Sequence, residues 1–197
     1  MRPTKRDELV GKALRVFYAH GFHATGMDRL VEETGISKTS MYKHFRRKED
    51  LILAALERRD ADFRGWLFAR MAALGGTPRG QLLALFDALG EWFAEPGFKG
   101  CMFVKAASEF QDAKDPIHAQ AAAHKALLFG HLKALAAEAG AGAPEGLARQ
   151  LLILKEGAIV TAQVEGRLQA ATEAKAAAAV LLDAALAKPA SRGHPPA

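Results

Sequence analysis

A chain of 197 residues, half of them hydrophobic, is long enough for one large or two small domains with a real core. No apolar run nears the roughly 18 residues of a membrane span, and the N-terminus lacks the apolar core of a signal peptide, so a cytoplasmic protein with no membrane partner is expected. The charge of +5 is uneven: 13 Lys and Arg stand against 9 Asp and Glu up to Asp60, and 14 against 13 thereafter, which is the distribution of a chain whose N-terminal end meets phosphates.

Alternating β-branched runs are absent and Ala and Leu dominate the last two-thirds, which predicts an all-α protein of about nine helices. The first runs from about Lys5 to His20, with Leu9, Val10, Ala13, Leu14 and Phe17 on one face and Gly21 at its end. Asp28 to Thr34 forms the second, closed by Gly35. Ser37 to His44 forms the third, with Ser37 as N-cap. A long fourth helix covers Lys48 to about Leu74: Leu51, Ile52, Ala55 and Leu56 face the first three helices, and Phe63, Trp66, Leu67 and Met71 need another partner. Helices follow from about Arg79 to Phe93, near Gly100 to Phe110, Pro116 to about Ala139, Pro144 to about Leu168, and Ala171 to Ala187. The tail from Lys188 is polar and Pro-rich and is expected to be disordered. The boundaries that follow are an N-terminal unit over residues 1–50, with a helix-turn-helix pattern at about 27–46, a helical body over 51–187, and a tail over 188–197.

In a helix-turn-helix the first helix braces on the DNA backbone and the second lies in the major groove. Met41 and Phe45, four apart, anchor one face of the third helix in the core and leave Lys38, Thr39, Tyr42 and Lys43 outward. Tyr42, His44 and Lys48 make a line of phosphate contacts, extended by Arg46 or Arg47. Thr25 is placed to cap the second helix and offer its hydroxyl to a phosphate.

The run from Thr25 to Leu51, TGMDRLVEETGISKTSMYKHFRRKEDL, together with Phe17 and Gly21, resembles the DNA-binding domain of the tetracycline-repressor (TetR) family over some sixty residues. The resemblance implies an all-helical homodimer on double-stranded DNA, with phosphate contacts from Thr25, Tyr42, His44 and Lys48. Base reading would fall to Lys38, Thr39, Ser40 and Lys43, beside the N-cap Ser37, on a palindromic operator. A second stretch, from Gly97 through Gly100-Cys101 to Glu109-Phe110, and again Leu151 to Gln163, resembles a C-terminal subgroup of the same family. There the family encloses an inducer pocket, so a small-molecule inducer is expected.

Candidate pocket residues are Phe63, Trp66, Trp92, Phe93, Cys101, Met102, Lys105, Phe129 and Gln163. Lys105 departs from the small polar amide expected at its position and favours an acidic or polarisable effector. Glu109, Glu156 and Gln163 can orient a polar inducer. Cys101, at a predicted helix start beside Lys99 and Lys105, is either a reactive thiol sensor or an inert buried residue. The single cysteine excludes an internal disulfide, and His124 and His131, seven apart, lack a carboxylate at metal-ligand spacing; no metal or other cofactor is expected.

Leu147, Leu151, Leu154, Ala158 and Ala162 make one small and apolar stripe, and Ala176, Ala177, Val180, Leu181 and Ala184 another; paired with their symmetry mates they would build a four-helix bundle. No nucleophile, base and oxyanion donor stand at a motif spacing and no Gly-rich phosphate loop is present, so catalysis is not expected. The function expected is a ligand-responsive transcriptional regulator, a repressor released by its inducer. An architectural DNA-binding protein without an effector is the alternative, separated by competition with random duplex.

Overall fold

The structure, a computed structural model, describes residues 4–187, among which nine helices and no strand form. The tail from Lys188 lies outside the described residues. Helix α1 (Lys5–His20) opens with a capping box in which Thr4 Oγ1 accepts from the Asp7 amide at 3.1 Å and the Asp7 carboxylate accepts from the Thr4 amide at 3.0 Å. Helix α2 (Met27–Thr34) stops at Gly35, whose φ of +68° sits in the left-handed region that a Cβ disfavours. Lys12 reinforces that end, its ammonium donating to the Thr34 carbonyl at 3.0 Å, where the helix dipole favours a cation. Helix α3 (Lys38–His44) begins on Ser37, whose hydroxyl accepts from the Ser40 amide at 3.2 Å, as expected.

Helix α4 (Lys48–Gly75) joins two packing units in one rod. Its first half buries Leu51, Ile52, Ala55 and Leu56, and α1 lies against it; its second half buries Phe63, Leu67 and Met71, with α5 and α7 as neighbours. Leu9, Ala13, Phe17, Phe22, Leu30 and Met41 complete the head core, all but inaccessible to solvent. Each large apolar side chain there contributes roughly 1.5–3 kcal/mol.

The body contains α5 (Pro78–Phe93), α6 (Met102–Glu109), α7 (Pro116–Glu138), α8 (Pro144–Glu165) and α9 (Ala170–Leu186). Pro78, Pro116 and Pro144 stand in the first turns of α5, α7 and α8, where a missing N–H has no cost. Asp115 caps α7, accepting from the Ile117 amide at 2.7 Å. Helix α8 ends at Glu165 rather than near Leu168, because Gly166 caps it. Helix α6 is shorter than expected, with Cys101 as its N-cap residue.

Candidate nucleic-acid interface and its coupling to the body

The outward face of α3 carries Lys38, Thr39, Tyr42, Lys43 and His44, all exposed, while Met41 and Phe45 are buried beneath them. Tyr42 is 48% exposed, unusual for an aromatic with a core beside it. Lys38 rests against Asp28 at 3.2 Å on the surface, a weak pair that a phosphate can displace. Arg46 and Arg47 follow on an exposed corner, Arg47 paired with Asp50.

Two expectations in the head need correction. Thr25 is fully buried and its hydroxyl donates to the Gly21 carbonyl at 2.6 Å, so it neither caps α2 nor presents a donor to DNA. The N-cap position is Gly26, which makes no side-chain cap, leaving the first amides of α2 without such a partner. Lys48 does more than face phosphate: its ammonium donates to the carbonyls of Phe22 at 3.0 Å and Thr25 at 3.2 Å, which leaves one of its three protons available.

That same α1–α2 corner is held from the body. The Glu109 carboxylate, at the end of α6, accepts from the Phe22 amide at 3.0 Å and from the His23 amide at 2.6 Å. Gly21 makes room for it, for a Cβ there would stand 2.9 Å from Glu109 Oε1, and its φ of +84° suits glycine. Lys105, one turn earlier, donates to the Tyr18 carbonyl at 3.2 Å, and burial followed by the charge of Lys99 lowers its pKa. Tyr18 in turn donates its hydroxyl to the Gly100 carbonyl and accepts from the Lys99 amide. Helix α6 and its approach therefore grip the end of α1 at several points. Lys105 and Glu109, expected near an inducer, bind the head instead.

The cavity under α6 is lined by Arg59, Phe63, Trp92, Cys101, Met102, Phe103, His124, Lys155 and Ile159 and has a volume of about 10 Å³, about one water sphere. Four expected residues, Phe63, Trp92, Cys101 and Met102, meet there. The others do not: Trp66 lies in a shallow cleft beside it, Phe93 packs on Trp92 and Phe98, and Phe129 lies under Lys133 and Arg149. Gln163 lies over Gly100. The aromatics thus pack as a core with a small polar void rather than walling an open pocket.

Arg59 was not singled out from the sequence, and His124 and Lys155 were not placed at this cavity, His124 being weighed only as a metal ligand. Nothing in their spacing marks them, since they come from α4, α7 and α8. His124 is 1% exposed, its Nδ1 lies 2.6 Å from Asp60, and its ring stacks on Phe103 at 3.7 Å. Burial pushes its pKa down to about 4, against the hydrogen bond it donates to Asp60. Burial would raise the Asp60 carboxyl, but hydrogen bonds from Arg64 and His124 hold it below its ordinary value. Buried Lys155 bonds Glu156 at 2.8 Å, and the same oxygen takes Lys125 at 2.7 Å; burial lowers the Lys155 pKa. Cys101 is buried, and the ammonium in hydrogen-bond reach of its Sγ is that of Lys125, at 3.5 Å.

On α8 the expected self-association stripe points inward. Leu151, Ala158 and Ala162 are buried in the chain's own core and Leu154 is half-buried. The exposed apolar stripe is Ile153, Val160 and Val164, at 71%, 48% and 76%, with Gly157 among them. On α9, Ala176, Ala177, Val180 and Ala184 are exposed and Leu181 is half-buried, so that stripe does face outward. No described helix is long and apolar enough to cross a membrane.

Residues 9–55 match the family model of bacterial regulatory proteins, tetR family, and residues 78–178 that of the tetracyclin repressor-like C-terminal domain. The chain is 42% identical over 57 residues to the HTH-type transcriptional activator FasR of Mycolicibacterium smegmatis, 29% of this chain and 26% of FasR, so it matches only about a quarter of that relative. To the HTH-type transcriptional regulator YjdC of Escherichia coli it is 23% identical over 155 residues, 79% of this chain and 81% of YjdC. Among solved structures, SCO4454, a TetR-family transcriptional regulator from Streptomyces coelicolor, superposes with a TM-score of 0.86 at 29% identity, covering 92% of this chain and 96% of that one.

Proposed function

The chain belongs to the tetR family of bacterial regulatory proteins, DNA-binding regulators of transcription, and from that premise we propose that it is a homodimeric repressor released from a palindromic operator by a small-molecule inducer. The observation that carries the reading is the exposed basic and polar face of α3 on a head that α6 grips from the body. Lys38, Thr39, Ser40 and Lys43 reach base edges, and Tyr42, His44 and the remaining proton of Lys48 reach phosphates. The uncapped N-terminus of α2 takes the phosphate first assigned to Thr25. Residues 1–50 form the DNA-binding domain in this reading, and 51–187 bind the effector and the second copy, the exposed faces of α8 and α9 pairing with their mates in a four-helix bundle. The work is done in the cytoplasm, where the DNA is.

An inducer entering beneath α6 displaces Met102 and Phe103, shifts α6, and moves the α1–α2 corner that Glu109 holds. The two recognition helices then lose the separation that suits two half-sites one helical turn or a multiple apart. For a hundredfold loss of operator affinity the inducer must favour the DNA-incompetent state by about 2.7 kcal/mol. FasR is named an activator, so a shared head leaves the direction of control open; repression is proposed because a ligand that loosens the grip on the head releases DNA. Selection of bound duplexes from a random pool tests the core of the reading. A palindromic consensus is expected, and binding without sequence preference would replace it by an architectural role.

A further inference from the structure

Two groups at the cavity beneath α6 lack the partners their chemistry calls for. The Asp60 carboxylate can only accept, so the proton between it and His124 sits on Nδ1, 2.6 Å away, and Nε2 of the neutral ring is then a lone-pair acceptor. Nε2 is buried and nothing among the described residues donates to it, an arrangement folded proteins rarely leave in place without a ligand or an ordered water. At the same cavity the Arg59 guanidinium has no hydrogen bond or ion pair among the described residues. It lies instead over the rings of Tyr18, Phe63 and Trp92, with centroids 5.1, 5.2 and 5.8 Å away. A planar guanidinium with its donors unused is built for a carboxylate.

The remaining walls select further. Phe63, Trp92, Phe103, Met102 and Ile159 are apolar. Of the nearby carboxylates, Asp60 is held by Arg64 and His124, and Glu156 takes Lys125 and Lys155 on Oε1 while its Oε2 stays buried without a partner; Glu95 is exposed in the adjacent cleft, and none of the three lines the void. No acidic side chain lines the void, whereas Arg59 and Lys155 do; Lys155 is already bound to Glu156, so a cationic ligand finds no counter-ion and an anionic one finds Arg59. Within the reading of this cavity as the effector site, we propose that the effector is a hydroxylated aromatic carboxylate. Its hydroxyl donates to His124 Nε2, its carboxylate pairs with Arg59, and its ring lies among Phe63, Trp92 and Phe103. The void of about 10 Å³ admits it only when the flexible Met102 and the start of α6 give way.

The test titrates the full-length protein calorimetrically with 3- and 4-hydroxybenzoate, phenol and benzoate. The tighter hydroxybenzoate is expected to bind at least about tenfold better than phenol and than benzoate, each of which lacks one of the two polar contacts. In Arg59→Met its advantage over phenol is expected to shrink to about twofold or less while its advantage over benzoate persists, and in His124→Phe the reverse. Because His124→Phe also strips Asp60 of a partner and can unfold the chain, the ligand series on the unaltered protein stands as an independent arm. Equal affinities, no binding, as for a void that holds only water, or ratios unmoved by Arg59→Met overturn the proposal. Operator affinity is followed in the same samples. Expected ratios with operator binding unchanged by the ligand uphold this effector chemistry and defeat the inducer reading; failed ratios with sequence-specific DNA binding intact defeat the effector chemistry alone.

Discussion

Glu109 and His124 are the residues on which the behaviour of the chain most depends, and neither touches DNA in any reading of α3. Glu109 accepts from two backbone amides of the α1–α2 corner 86 and 87 residues away. Replacing it by Gln keeps the shape but removes the charge and one acceptor. Glu109→Gln is expected to leave the fold intact and to cut the inducer-driven change in operator affinity by about fivefold or more, read by fluorescence anisotropy with and without ligand; a full response would show that the signal travels elsewhere. His124 sets a stability window. Its folded pKa of about 4 lies below the ordinary 6.5, so the unfolded chain takes up a proton first as pH falls. The stability is fully present above about pH 6.5 and lost progressively down to about pH 4, by on the order of 3 kcal/mol. Urea unfolding at pH 7.5, 6 and 4.5 checks it: in His124→Gln the decline over this range should flatten, and an unchanged slope would assign it to other groups. Both residues stood out in the sequence, but for other roles, Glu109 as an inducer contact and His124 as a metal ligand. Thr25, Lys48 and Lys105 were singled out by type and position, yet their partners are Gly21, Phe22 and Tyr18, and only the fold decides which backbone a side chain meets.

At the scale of elements the chain was far more legible. Gly35, Ser37, Pro78, Asp115 and Pro144 punctuate it chemically, and the helices begin or end beside them, because a cap or a missing N–H acts locally. What failed was the assignment of faces. Helix α8 is apolar on two sides, one carrying Leu151, Ala158 and Ala162 and the other Ile153, Val160 and Val164, and periodicity alone cannot say which side meets the chain's own body. The exposed side is the one to disrupt. Ile153→Glu combined with Val164→Glu is expected to convert the proposed dimer to monomer at micromolar concentration by light scattering, with helical content by circular dichroism retained because both side chains are exposed in the single chain. Operator affinity should fall with the lost second arm. A dimer that survives both charges would place the self-association surface away from α8.

For the whole molecule, charge and length set the remaining expectations. The positive excess is concentrated in the first 60 residues, at the end that holds the exposed face of α3 and the exposed Arg46. If that face lies on DNA, log K should fall steeply against log salt, with a slope of about 0.9 per phosphate neutralised. Arg46→Ala removes one cation per protomer and is expected to make the slope shallower by about 1.8 for the dimer, with little change in consensus; an unchanged slope would take the α3–α4 corner off the DNA. One consequence lies in the uninterrupted run of α4 from Lys48 to Gly75. Its 28 residues make a stiff lever of about 42 Å. A tilt of about 5° at its body end sweeps the other end through about 3.7 Å, close to the 3.4 Å step between base pairs along one strand. In the proposed dimer, two such levers swinging apart would misplace their fingers by about two base pairs, enough to take a palindrome out of reach.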